Sequence, residues 1–365
     1  NPRSFAEEGE AQFAAGKLEE AIAAYQRATQ IDSRNVDYWV ALARIQIYAQ
    51  QYDQALESAQ NALLAAPNSP KSKAIYAWAL DYIGDLEGAQ AAAVQAIALD
   101  SNYAPAHAYY SEILNDSSKW EQGQNEAQLA LTLDPNSLDA HRAMGYANES
   151  VGNYRGAIEH YKNALAINPN LMTLYIALGK NYRALGEKDQ AIFYFSKANA
   201  LDPKNIEPYL ALSRTYYQYD EFGTAAQYLQ SALELDPTNA DIHGRLGLIY
   251  FHAKNYEGAE PELRLAVYGG PLTDSAGNPV PDASGNPLSV TALPLNGASL
   301  EYFYTLGNLL AAYKQCAPDQ APDLLNKALN FAPDNPSVIA SYDESMTICR
   351  NVWAESGTPQ ATPQP

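Results

Sequence analysis

The chain has 365 residues, 47% apolar and 18% charged, a composition that supports a continuous core and excludes wholesale disorder. Asp and Glu outnumber Lys and Arg by 42 to 23, a formal net charge of -19, and such a field repels phosphate backbones and anionic headgroups, so no nucleic-acid partner is expected. No apolar run approaches the roughly 18 residues a bilayer span requires, so no membrane insertion is expected either.

The chain opens Asn1-Pro2-Arg3 without an initiator Met or a signal-like apolar stretch, which reads as a processed or trimmed start. From Pro2 it resembles itself at a spacing of 34 residues. Ala28, Ala62, Ala96, Ala130, Ala164, Ala198, Ala232 and Ala266 keep that spacing without exception. A second column holds Ala21, Ala55, Ala89, Ala157, Ala191, Ala225 and Ala259, with Gly123 in the gap. Pro67, Pro135, Pro169, Pro203, Pro237 and Pro271, with Ser33 and Ser101 between them, mark the stop after each unit.

Between stops, apolar residues fall at helical spacing twice, as in Tyr175, Leu178, Gly179 and Tyr182 and then Ala191, Ile192, Phe195 and Ala198, so each unit is predicted to be two helices. The turn inside the pair falls at Gly16, Gly84, Gly152 and Gly186, where a left-handed residue ends the first helix. Small residues at Gly9, Ala43, Ala77, Ser111, Gly145, Gly179, Ser213, Gly247 and Gly307 let the two antiparallel helices approach closely.

These columns resemble the tetratricopeptide repeat, whose aromatic-x-x-Leu-Gly-x-x-Tyr opening is seen best as Tyr175-Ile-Ala-Leu-Gly-Lys-Asn-Tyr182. The resemblance covers 2–271 as eight units and continues in degenerate form through 298–335; Gly123 for Ala and Lys73 for an aromatic are its departures. It implies an all-α fold, a right-handed α-solenoid of antiparallel helix pairs, and a non-enzymatic scaffold that binds protein. If the family's geometry carries over, the first helix of each unit lines a concave face, where Arg142, Tyr146, Lys180, Arg183, Arg214 and Tyr217 form a peptide-binding strip for an acidic segment. The alternative is a solvated face with local ion pairs, such as Arg142 with Asp139. The Lys/Asn pattern with which chaperone-binding members hold a terminal carboxylate is replaced by Ala6, Glu10, Val40 and Arg44.

Residues 272–297 interrupt the array with the near-duplicates Asp274-Ser-Ala-Gly-Asn-Pro-Val280 and Asp282-Ala-Ser-Gly-Asn-Pro-Leu288. They read as turns in a solvated loop or a projecting hairpin with a short strand near Ser289. The array resumes at Ala298–Gln315 and Asp319–Phe331, and 336–353 reads as a C-terminal capping helix whose outer face carries Asp343, Glu344 and Arg350. Residues 354–365 form a proline-rich tail. Cys316 and Cys349 are placed for a disulfide, which would imply an oxidising compartment. The scarcity of basic residues, the 27 Tyr and the tail match a secreted bacterial protein, extracellular or periplasmic.

No nucleophile elbow, phosphate loop, zinc-protease motif or carboxylate pair appears, so neither catalysis nor a cofactor is expected. His107, His141 and His243 share a column with Trp39, Tyr175 and Tyr209, which points to helix packing, and no metal is expected; His160 and His252 stand alone. The sequons at Asn115 and Asn148 fall near helix ends and read as unmodified. Three functions remain: a monomeric adaptor using the strip, a self-assembling structural protein, and a regulatory array from a larger enzyme. Self-assembly is the leading expectation. Phe5 and Phe13 leave an apolar edge with no capping helix before them, and a tail containing Thr358, Pro359, Pro363 and Pro365 loses little entropy on lying in a groove. Head-to-tail contact that does not close would give a homo-oligomer growing as an extracellular filament.

Overall fold

The computed structural model describes residues 1–274 and 276–356. The fold is an all-α solenoid whose consecutive helices pair antiparallel, and it divides into two compact parts, Asn1–Pro203 and Lys204–Pro365. No helix among the described residues is long and apolar enough to cross a membrane.

The N-terminal part holds six helix pairs: α1 Pro2–Ala14 with α2 Leu18–Ile31, α3 Val36–Tyr48 with α4 Tyr52–Ala65, α5 Pro70–Tyr82 with α6 Leu86–Leu99, α7 Ala104–Asp116 with α8 Trp120–Leu133, α9 Leu138–Ser150 with α10 Tyr154–Ile167, and α11 Met172–Ala184 with α12 Lys188–Leu201. Local chemistry sets the ends. Asn1, Asn35, Ser69 and Ser137 accept hydrogen bonds from the first-turn amides of α1, α3, α5 and α9. Asp32, Asp100 and Asp134 each accept from the amide two residues on, folding the loop that the following Ser or Pro completes.

Each pair turns on one left-handed residue. Gly16, Gly84, Gly152 and Gly186 have φ of 75 to 85°, and Gln50 and Ser118 occupy the same place at 61° and 59°. A side chain there costs backbone energy that glycine does not. Ser118→Gly is therefore expected to stabilise the protein by about 0.5–1 kcal/mol after the entropy of the freer unfolded chain is subtracted; chemical denaturation measures it, and a loss of stability would contradict the reading.

Inside each pair the small-residue column is matched in volume sixteen residues on. A Cβ built on Gly9, Gly145 or Gly179 would lie 2.5–2.7 Å from the rings of Tyr25, Tyr161 or Phe195. Where the column holds Ala43, Ala77 or Ser111, the facing position is Ala59, Ala93 or Ala127, all buried. Gly179→Ala is thus expected to destabilise by about 1–3 kcal/mol through overpacking against Phe195, and restoration in the background of Phe195→Ala would show that the ring is the cause.

The C-terminal part begins with α13 Glu207–Gln218, α14 Phe222–Leu235, α15 Ala240–His252 and α16 Tyr256–Tyr268. The insertion then departs as a hairpin arm. Strand β1 Gly270–Pro271 pairs antiparallel with β2 Ser289–Val290. Within the arm Val280 donates its amide to Leu272, Leu288 to Val280, and Leu272 to Leu288, a closed triangle of backbone hydrogen bonds of 2.8–2.9 Å. The two turns between its corners are alike because each is wound around one carboxylate. Asp274 accepts from the amides of Ala276 and Asn278, and Asp282 from those of Ser284 and Asn286, which holds both carboxyls below the usual carboxylate range.

Three helices follow, α17 Leu300–Ala312, α18 Ala321–Phe331 and α19 Pro336–Ser356. Leu306, Leu310, Leu324, Leu325, Met346 and Trp353 share one core. The last helix covers that core and leaves Asp343, Glu344 and Arg350 exposed. Cys316 and Cys349 are joined by a disulfide within the same core, with Cα atoms 5.2 Å apart.

Candidate functional site

The positions that the resemblance assigns to a groove lie on the first helices of the units. In the N-terminal part, those of α3, α5, α7 and α9 find one another instead of solvent. Arg44 donates to Asp139 Oδ2 at 2.9 Å across 95 residues of sequence, and Tyr48 and Tyr109 donate to the same carboxylate at 2.6 and 3.2 Å. Arg142 pairs with Glu112 at 2.8 Å and lies over the Trp78 ring, 4.3 Å from its centroid. Trp78 in turn donates to Glu112 at 2.9 Å and stacks on Tyr109 at 4.4 Å.

This network corrects the expected strip. Arg142 is only 9% exposed, and its ionic partner is Glu112 rather than Asp139. Tyr146 is half-buried and donates to Asp116. Lys180 is exposed on α11, and Arg183 lies over the Phe195 ring at 5.6 Å. Arg214 and Tyr217 stand on α13 in the other compact part. In neither part do the six residues form one continuous strip.

The edge at Phe13 is corrected as well. Phe13 is buried, its ring 5.6 Å from that of Tyr48 and under the Arg44 guanidinium at 5.2 Å. Asn168 and Asn170 donate to the carbonyls of Phe13 and Ala14 at 3.1 and 2.9 Å, spanning 155 and 156 residues. The end of α1 is therefore held by the loop before α11, and the array in this part coils back on itself. Phe5 is half-buried beneath Arg27 at 5.8 Å, and Thr358, Pro359, Pro363 and Pro365 lie outside the described residues.

The network sets the ionisation of its members. Burial opposes the charge on Asp139, but Arg44 and Arg142 outweigh it and hold its carboxyl below the usual range. Burial and then the Asp116 carboxylate push Asp81 up to about 8. A carboxyl raised in the folded state contributes stability fully present below its unfolded value and lost as pH rises through the folded one. Stability is therefore expected to fall between about pH 4 and about pH 8 by a proton's worth that Asp81→Asn removes, as urea titrations of the two proteins across that window would show.

In the C-terminal part the corresponding helix face is less closed. Arg245 pairs with Asp241 at 2.7 Å, and Tyr302 donates to the same carboxylate at 2.7 Å. Arg214 is exposed, and Tyr217, Leu248, Phe251 and Tyr304 are only partly buried. Asn308 on α17 is tied to Ser341 and Ser345 of α19 at 3.1 and 2.9 Å.

The aromatic and histidine column has a defined role. Trp39, His107, His141, Tyr175 and His243 each place a ring nitrogen or hydroxyl 2.9–3.1 Å from the carbonyl six residues earlier, tying the inter-unit loop to the next helix. The other nitrogen of His107 meets Glu126 at 2.6 Å and that of His243 meets Glu262 at 2.5 Å. Both nitrogens then face acceptors. For His107 the Glu126 hydrogen bond, and for His243 the Glu262 hydrogen bond against the cost of burial, raise the imidazole above its ordinary value. Asn115 and Asn148 are buried and donate to carbonyls of their own helices.

Sequence reasoning missed Arg44, Trp78, Glu112 and Asp139 as a set. Arg44, Trp78 and Glu112 stand at one place in successive units, a charge or large aromatic at each, and it takes the coil's curvature to bring them together with Asp139.

Comparison with known proteins agrees with this architecture. A family model described as TPR repeat matches residues 9–51, and one described as tetratricopeptide repeat matches 150–214 and 216–271. No curated protein matches the chain in sequence. Among solved structures, a chain of the APC/C hetero-tetramer Cut9–Hcn1 superposes with a TM-score of 0.62 at 13% identity, over 93% of this chain and 54% of that one. This chain thus spans about half of that relative's length. The human IFIT1 dimer with m7Gppp-AAAA gives a TM-score of 0.55 at 16% identity, over 96% of this chain and 85% of that one. At such identities the likeness is one of fold alone.

Proposed function

Because the chain is a tetratricopeptide-repeat protein, a protein–protein interaction scaffold, we propose that it is an adaptor that captures an extended segment of a partner protein on the face formed by α13, α15 and α17. The segment presents a carboxylate to Arg214 and apolar side chains to Tyr217, Leu248, Phe251 and Tyr304. One contrast carries this reading. Arg44, Trp78, Glu112 and Tyr146 all find partners among themselves and their neighbours, whereas Arg214 and Leu248, at the same place in later units, retain exposed cationic and apolar surface. The Cys316–Cys349 disulfide supports work outside the cytoplasm.

Selection of displayed peptides on the intact protein tests the proposal. Peptides combining acidic and apolar residues are expected to be enriched, and Arg214→Glu is expected to weaken them about tenfold or more, with a marked salt dependence. Equal binding to the variant would reject the site. Particles that grow with protein concentration would instead favour head-to-tail self-assembly.

A further inference from the structure

We propose that His141 and His160 form a binding site for one divalent transition-metal ion, of the copper, nickel or zinc class that imidazole prefers. The two Nδ1 atoms face each other at 3.2 Å. Two nitrogens bound to one tetrahedral ion at 2.0–2.1 Å are about 3.3–3.4 Å apart, so a small rotation of the rings seats an ion between them.

The wider geometry selects this pair. His141 Nε2 lies 3.1 Å from the carbonyl of Pro135, and an N–H donated there leaves the Nδ1 lone pair pointing at His160. Metal-binding histidines characteristically have the distal nitrogen fixed by such an acceptor. The same two places hold His107 with Glu126 and His243 with Glu262, where a carboxylate at 2.5–2.6 Å accepts the hydrogen bond that Nδ1–H donates. At His160 the carboxylate is replaced by a second neutral donor–acceptor ring.

Binding requires His160 to move its ring proton from Nδ1 to Nε2, a tautomer exchange with no net proton loss. Both side chains are half-buried, and no third His, Cys, Asp or Glu completes a metal-holding group among the described residues. Water therefore fills the remaining positions. The net charge of -19 raises the local concentration of cations.

Zinc titration of the intact protein by calorimetry, with Cu(II) paramagnetic resonance to count nitrogen ligands, tests the site. One ion per chain is expected, with two imidazole nitrogens. His160→Gln keeps a hydrogen-bonding side chain and is expected to weaken binding about 10- to 100-fold, while His252→Gln, at an exposed histidine on another helix, leaves it unchanged. Circular dichroism checks that both variants are folded. Unchanged affinity in folded His160→Gln, a single nitrogen ligand, or no saturable binding by millimolar zinc would overturn the proposal.

Discussion

Arg142→Ala is expected to cost the protein about 3–5 kcal/mol, the loss typical of stripping one partner from a buried ion pair. The guanidinium side chain is 10% and the Glu112 carboxylate 5% exposed, so removing the cation strands an anion that water reaches poorly. It also removes the group lying over Trp78 at 4.3 Å and over Tyr48 at 5.4 Å. The loss comes chiefly from the uncompensated charge and not from the net worth of the pair. Arg142→Met combined with Glu112→Leu should therefore recover most of the stability. Urea unfolding followed by tryptophan emission resolves the three proteins. A single variant within about 1 kcal/mol of wild type, the range of a surface pair, would mean that the network is open to water.

The helices were legible because each is specified within its own 34 residues. The alanine columns, the Asp and Pro stops and the turn glycines all act locally, and the structure places sixteen helices between Pro2 and Tyr268 accordingly. The interior of the N-terminal part was not legible. Arg44 reaches Asp139 only because small rotations between successive pairs accumulate over several units, and no pattern inside one unit encodes that sum. The same curvature turned Arg142, one cation of the expected strip, into a core residue. Arg142 read as a ligand-binding residue because the resemblance puts its helix on a concave face, while its partners Glu112 and Trp78 lie 30 and 64 residues away in sequence. The hairpin arm was half legible: the duplicated Gly-Asn-Pro predicted turns, but not that Leu272, Val280 and Leu288 would close a triangle.

Reduction of the Cys316–Cys349 bond is expected to destabilise the C-terminal end by about 4 kcal/mol, the chain-entropy value for a loop of this length; the two cysteines are 33 residues apart. The bond links the loop between α17 and α18 to the middle of α19, the last helix among the described residues. Its other ties are modest. Trp353 donates to the Cys316 carbonyl at 2.8 Å, and Ser341 and Ser345 hydrogen-bond Asn308, each worth about 0.5–1.5 kcal/mol net. A repeat array unfolds from its ends when the last interface weakens, so the effect should be local before it is global. Under reductant, amide exchange is expected to rise first across α19 and then α18, with the Trp353 environment lost in the same step, while α13 to α15 stay protected. Exchange in α19 that is indifferent to reductant would show that packing of Met346 and Trp353 alone holds the cap, and that the disulfide contributes little to it.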